Sequence, residues 1–371
     1  MAVFSQQDEQ FMQMAIELAK QGQFTTTPNP NVGCVLVKDG KIVGQGFHIQ
    51  AGGPHAEVHA LRQAGDAAKG ATAYVTLEPC SHFGRTPPCA KGLIEAGVAK
   101  VIAAMVDPNP KVSGKGLAML EQAGIEIAFG LLESQAYQLN EGFFKRMKVG
   151  LPFVQCKLAA SLDGKTALAS GESKWITSPA ARDDVQRFRA KSCAIISGAD
   201  TVLTDNAQLT VRAHFYPEQQ EQIRQPVRVI FDSQARLTPE LALFASESPV
   251  ILVRTDSSPV ENALVWPHFV EEFIAESKDG KIDCHCVLRF LAQRGINQVW
   301  LEAGQTLCGV FHDAGLIDEY IVYYAPKIIG EGGKGLFSIA STYSLSQVET
   351  MSFSHVQTIG QDLRVHVRKI N

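Results

Sequence analysis

His55 and Glu57 open an apolar-periodic run, and Cys80 and Cys89 follow, each directly after a proline. These residue types suit hydrolysis at a metal. Two thiolates alone hold zinc poorly, whereas three protein ligands with a fourth position left for water form the catalytic arrangement. His55, Cys80 and Cys89 supply three. A carboxylate that does not touch the metal can take a proton from water and pass it to a ring nitrogen and a leaving amine. Glu57 is read in that role. Both cysteines are expected at or near helix starts, whose amides favour thiolate. His59 lies one turn after His55, but Ala56 breaks the H-E-x-x-H pattern of zinc proteases. It reads as a packed or hydrogen-bonded helix residue. The run "DCHC" at 283–286 looks metal-like, but nothing nearby completes a site, and it reads as strand.

The order H-x-E, P-C, C is that of zinc-dependent deaminases of bases and nucleosides. Their usual C-x-x-C spacing is replaced here by eight intervening residues, "SHFGRTPP". The insertion is too polar for core and reads as a substrate-specificity loop carrying His82 and Arg85.

The chain has to build elements that hold these groups. At 371 residues it is long for one core, so two domains are expected, 1–150 and 151–371. The first alternates helix and strand: "DEQFMQMAIELAKQG" is a helix, "NVGCVLVKDGKIVGQGFH" a hairpin, "HAEVHALRQAG" a helix, "ATAYVTLEP" a strand. A new strand series starts near Pro152, and 151–371 reads as a second α/β domain. The composition, 45% hydrophobic and 19% charged, is that of a soluble globular protein. No signal peptide or membrane span is read, so a cytoplasmic location with eight reduced cysteines is expected. Residues 1–150 carry 13 basic and 13 acidic side chains, and the remainder 21 and 25. Neither half is basic, which argues against a nucleic-acid partner.

The segments "TPNPNVGCVLV", "HAEVHAL" and "TLEPCSHFGRTPPC" resemble the deaminase domain of the bifunctional deaminase/reductase family of riboflavin biosynthesis. "KLAASLDGKTALASGESKWITS", "SGADTVLTDNAQLTVR", "VWLEAGQTL" and "YAPKIIGEGGKGLF" resemble its reductase domain. The resemblance covers nearly the whole chain and is weakest at about 213–223 and 255–285. It implies a cytidine-deaminase-like three-layer domain followed by a dihydrofolate-reductase-like domain. It also implies Zn2+ and NADPH as cofactors, a small phosphorylated pyrimidine as substrate, and a homo-oligomer. The implied reactions are deamination of 2,5-diamino-6-ribosylamino-4(3H)-pyrimidinone 5′-phosphate and NADPH reduction of the ribosyl chain to ribityl. Asn29 and Asn31 fall where the family holds the base, and His82 and Arg85 become candidates for the ribose phosphate.

In the second half, "GEGGKG" matches G-x-G-x-x-G, but no long helix follows, so a Rossmann unit is not expected. It reads as a glycine turn that admits a cofactor phosphate or ribose. Gly304 in "EAGQTL" follows a strand and precedes a helix, a position suited to pyrophosphate or to an ordinary turn. The resemblance implies NADPH contacts at Ala159, Trp175, Thr201, Asp205, Ser233, Gly304, Gln305, Thr306 and Leu307. It implies substrate contacts at Ser173, Arg189, Leu209, Arg212 and Glu302, with Lys157 a further candidate for polarising the sugar. Arginine suits the phosphate because guanidinium pairs with its oxygens. The alternative reading is a nucleic-acid or nucleoside deaminase with an inactive or regulatory reductase-like domain.

Overall fold

The computed structural model describes residues 3–81, 87–110, 112–212, 223–259, 264–278, 280–339 and 344–370. The chain divides into two compact units, Met1–Leu151 and Pro152–Asn371.

The first unit contains α1 (Gln6–Lys20), β1 (Gly33–Lys38), β2 (Lys41–Phe47), α2 (Ala56–Ala64), β3 (Thr72–Val75), α3 (Cys89–Glu95), β4 (Lys100–Ala103), α4 (Lys115–Gln122), β5 (Glu126–Phe129), α5 (Glu133–Leu139) and α6 (Glu141–Val149). Its sheet has the order β2-β1-β3-β4-β5. β1 is antiparallel to β2 and β3, and β3, β4 and β5 run parallel. Strand alternation creates two cores. Cys34 and Leu36 of β1 pack with α2, α3 and α4, while Val35 and Val37 pack with α1, α5 and α6. Helix, sheet and helix thus form three layers. Ser5 and Asp8 start α1 with a capping box.

The second unit contains β6 (Phe153–Ser161), α7 (Pro179–Lys191), β7 (Ala194–Gly198), α8 (Ala199–Asp205), β8 (Val227–Phe231), β9 (Val250–Thr255), β10 (Val270–Ala275), β11 (Ser277–Lys278), β12 (Lys281–Ile282), α9 (Cys284–Gln293), β13 (Gln298–Leu301), α10 (Gln305–Asp313), β14 (Glu319–Ala325), β15 (Met351–Ile359) and β16 (Asp362–Lys369). The nine-stranded order is β10-β9-β8-β7-β13-β6-β14-β16-β15. Strands from β10 to β14 in that order are parallel, and the C-terminal hairpin closes the sheet antiparallel. Parallel strands place their carboxyl ends on one edge, where α/β sheets bind ligands.

Two expectations change. The "DCHC" run is not strand: Asp283 accepts the His285 N–H at 2.8 Å and caps α9. Cys284, Val287, Leu288 and Leu291 then form its buried face, with helical spacing. Cys80 is not at a helix start but in an irregular segment after β3. Cys89 does open α3. Among the described residues, no helix is long and apolar enough to cross a membrane.

Candidate active sites

In the first unit, His55 is the N-cap residue of α2 and Glu57 lies in that helix's first turn. The helix reaches its place because β2 carries glycines beneath it. A Cβ at Gly44 would lie 2.2 Å from the Ala60 carbonyl oxygen, and one at Gly46 2.4 Å from His59 Cβ. Cys80 is positioned by its neighbour Glu78. The buried Glu78 carboxylate accepts the N–H of Asp107 at 3.0 Å, Gly114 at 2.9 Å and Gly116 at 2.8 Å. It thereby fastens the strand end bearing Cys80 to the start of α4.

These elements bring His55, Cys80 and Cys89 together, with ligand atoms within 4.8 Å of one another. His55 Nδ1 is 3.2 Å from Cys89 Sγ and 3.6 Å from Cys80 Sγ. Tetrahedral zinc separates nitrogen from sulfur ligands by roughly 3.6 Å, so the donor set and spacing fit that ion. The Cys89 N–H points at Cys80 Sγ from 3.3 Å, so the helix start serves the neighbouring sulfur. A hydrogen bond from Cys89, assisted by His55, lowers the Cys80 thiol well below its ordinary value, while that same bond and then burial hold Cys89 up.

Glu57 is 3% exposed, and its Oε2 has no hydrogen-bond partner. Burial raises its pKa, and the Cys80 charge adds to the effect. A carboxyl of this kind is poised to hold a proton. His48, not singled out in the sequence, stands edge-on to His55 with ring centroids 5.4 Å apart. Its Nδ1 lies 3.0 Å from the Pro54 carbonyl and therefore carries the proton, leaving Nε2 to accept from Asn29 Nδ2 at 3.0 Å. The Asn31 side chain accepts from Thr26 Oγ1 at 2.8 Å and donates to the Leu139 carbonyl at 3.1 Å. It ties the loop that presents Asn29. His82 and Arg85 lie outside the described residues.

In the second unit, a cavity of about 500 Å3 lies at the carboxyl ends of β6, β7, β13 and β14. It gathers Lys157, Ala159, Ser173, Trp175, Arg189, Thr201, Asp205, Arg212, Glu302, Gly304, Gln305 and Thr306. Leu209, Ser233 and Leu307 are absent from its wall: Leu209 packs in the core, Ser233 is exposed after β8, and Leu307 follows in the first turn of α10. Gly304 caps α10, so free backbone N–H groups face the cavity.

Glu302 anchors the cavity's charges. Arg189 donates to it in bidentate fashion, Nε to Oε2 at 2.9 Å and Nη2 to Oε1 at 2.8 Å. Trp300 Nε1 donates to Oε2 at 3.1 Å, and Lys157 Nζ is 3.9 Å from Oε1. Burial acts to raise the Glu302 carboxyl, but the charges of Arg189 and Lys157 outweigh it and bring it to about 2. The sequence reading missed the contacts that hold residues 174 and 175 of the cavity wall. Lys174 Nζ pairs with Asp205 at 3.1 Å, Lys327 Nζ donates to the Trp175 carbonyl at 2.8 Å, and the Arg182 guanidinium lies 4.4 Å from the Trp175 ring centroid.

A metal-type deaminase site in a three-layer unit, joined to an α/β unit with a cationic cavity at its strand ends, defines a zinc deaminase fused to a nucleotide-dependent reductase. Residues 5–105 match the cytidine and deoxycytidylate deaminase zinc-binding region, and residues 152–365 match the RibD C-terminal domain. The chain is 54% identical over 371 residues to riboflavin biosynthesis protein RibD of Haemophilus influenzae, covering 98% of each. It is 51% identical to the Escherichia coli protein of that name, covering 97% of this chain and 99% of that one. The structure of Acinetobacter baumannii RibD, form 1, superposes with a TM-score of 0.92 at 46% identity, covering 98% of this chain and 99% of the other. The chain belongs to the RibD family of bifunctional deaminase/reductases of riboflavin biosynthesis, with Zn2+ and NADPH as cofactors. The nucleic-acid deaminase alternative is not favoured.

Proposed function

We propose that residues 1–150 deaminate 2,5-diamino-6-ribosylamino-4(3H)-pyrimidinone 5′-phosphate and that residues 151–371 then reduce its ribosyl chain with NADPH. A Thermotoga maritima structure, 37% identical with a TM-score of 0.86, is described as a diaminohydroxyphosphoribosylaminopyrimidine deaminase/5-amino-6-(5-phosphoribosylamino)uracil reductase. The observation that carries the reading is the convergence of His55 Nδ1, Cys80 Sγ and Cys89 Sγ, with the buried Glu57 in the first turn of the helix that His55 caps.

Bound zinc lowers the pKa of water to ~7 and so supplies a nucleophile at neutral pH. His55, Cys80 and Cys89 would hold it. Glu57 would move two protons in turn, the first from the attacking water to the ring nitrogen and the second from the remaining hydroxyl to the departing amine. Its burial favours the protonated state that each delivery requires. Asn29, held by His48, is assigned to the pyrimidine, and His82 and Arg85 are assigned to the ribose phosphate.

In the second unit NADPH supplies a hydride, and the protein's part is orientation. Trp175, Thr201, Asp205 and the start of α10 hold the cofactor. Lys157 and Glu302 meet the sugar and Arg212 the 5′-phosphate. We place the chain in the cytoplasm, on the strength of its eight free cysteines. We also propose a homo-oligomer, because β15 is an edge strand with Phe353 75% and Val356 53% exposed, a surface proteins seldom leave bare.

The test is the zinc content of wild type and Cys80→Ser, with ammonia release measured first without NADPH. Near-stoichiometric zinc, lost in the variant together with ammonia release, supports the reading. Undiminished deamination by zinc-free wild type would refute it. Oxidation of NADPH by the deaminated product tests the second unit.

A further inference from the structure

Residues 208–212 belong to no helix or strand, yet Leu209 and Val211 are only 3% and 4% exposed. Backbone buried in this way must find hydrogen-bond partners, and here it finds side chains. Arg228 donates to the Gln208 carbonyl at 3.3 Å, Arg189 donates to the Thr210 carbonyl at 2.9 Å, and Gln186 accepts the Arg212 N–H at 3.0 Å. Gln225 makes two bonds to one residue. Its Oε1 accepts the Val211 N–H at 2.8 Å, and its Nε2 donates to the Val211 carbonyl at 2.9 Å. The pairing copies the exchange of N–H and C=O between antiparallel strands.

Arg212 comes next in the chain. It is exposed, lines the cavity, and its guanidinium meets no hydrogen-bond or ion-pair partner among the described residues. Gln225 is not part of the cavity wall. We propose that Gln225 is a positioning residue for the reduction, fixing the backbone from which Arg212 reaches the 5′-phosphate. The proposal rests on the Arg212–phosphate reading given above. A guanidinium already in place binds phosphate more tightly than one that must be ordered on binding. Without Gln225, the N–H and C=O of buried Val211 lose their partners and residues 211–212 gain freedom.

Steady-state reduction of the deaminated substrate at saturating NADPH tests this in wild type, Gln225→Ala, Arg212→Ala and the double variant. Gln225→Ala is expected to raise KM for the pyrimidine phosphate about tenfold. KM for NADPH and the rate of ammonia release should stay at wild-type values. The double variant should be no worse than Arg212→Ala, because one residue acts through the other. Gln225→Glu keeps the acceptor but loses the donor, so its KM should fall towards wild type as pH falls and the carboxyl is protonated. That pH response is the deciding measurement if Gln225→Ala deaminates but does not reduce at all. An unchanged KM in Gln225→Ala, independent effects in the double variant, or no pH response in Gln225→Glu would overturn the proposal while leaving the Arg212 reading intact. An unchanged KM in Arg212→Ala would instead overturn the phosphate reading, and the role of Gln225 with it.

Discussion

Replacing Glu302 by glutamine removes one charge from the cavity with little change in shape. The carboxyl sits at about 2 against an ordinary value of 4.5, and its side chain is 18% exposed. A lowered carboxylate stabilises the fold above its unfolded-state pKa and loses that contribution as pH falls through the folded-state pKa. At pH 7 the shift corresponds to about 3 kcal/mol. Linkage leaves most of this at pH 4 and less than half at pH 3. Glutamine resembles the protonated acid, so the stability gap between wild type and Glu302→Gln should narrow along that curve. The assay is available within the molecule: its three tryptophans, Trp175, Trp266 and Trp300, all lie in the second unit. Urea titrations of tryptophan fluorescence at pH 7, 4 and 3 therefore read that unit. A gap that stays constant from pH 7 to pH 3 would refute the claim that Arg189 and Lys157 hold Glu302 ionised.

Glu57→Gln should retain zinc and lose ammonia release by roughly 10²–10⁴-fold, the usual contribution of a general acid–base; metal analysis and an ammonia assay check both, and NADPH oxidation on deaminated substrate should not change. Gly116→Ala would set a Cβ 1.8 Å from the Pro79 carbonyl oxygen. It should force α4 away from the Cys80 segment and destabilise the first unit by about 1–3 kcal/mol, measured by thermal unfolding, with zinc loss to a chelator accelerated. Phe353→Lys places a charge on the exposed edge strand β15 and should shift the sedimentation coefficient towards the monomer, with zinc content unchanged.

The legible parts of the fold and site share a physical cause. His55, Glu57 and Cys89 lie at helix starts, where capping and spacing are local, so residue types and order were enough to assemble them. The structure brings together the side chains that the H-x-E and P-C signals singled out. Contacts made across long stretches of chain leave no such trace. Arg189 meets Glu302 across 113 positions and Glu78 meets Gly114 across 36; each charged residue by itself reads as an ordinary surface charge. Strand β15 was missed because its residues are exposed on both faces, so burial imposes no alternation on them. The 283–286 run misled because its polar cap and cysteines hid a helical face that becomes evident only from Val287 onward.

The missed residues also differ in kind from those that were found. The residues singled out in the sequence are candidates for the reacting and binding groups, while Glu78, Gln225 and Lys174 bond to backbone. In the first unit, one carboxylate secures the ligand-bearing segment through neutral N–H donors. In the second, ion pairs and side-chain amides secure the cavity. Electrostatics then predicts unequal responses. With its carboxyl held at about 2, Glu302 stays ionised and keeps its pairings with Arg189 and Lys157 until the pH falls to that value. Deamination should therefore be lost first on acidification, through protonation of the proposed zinc ligands, while the reduction cavity keeps its geometry. Added zinc should restore the deamination.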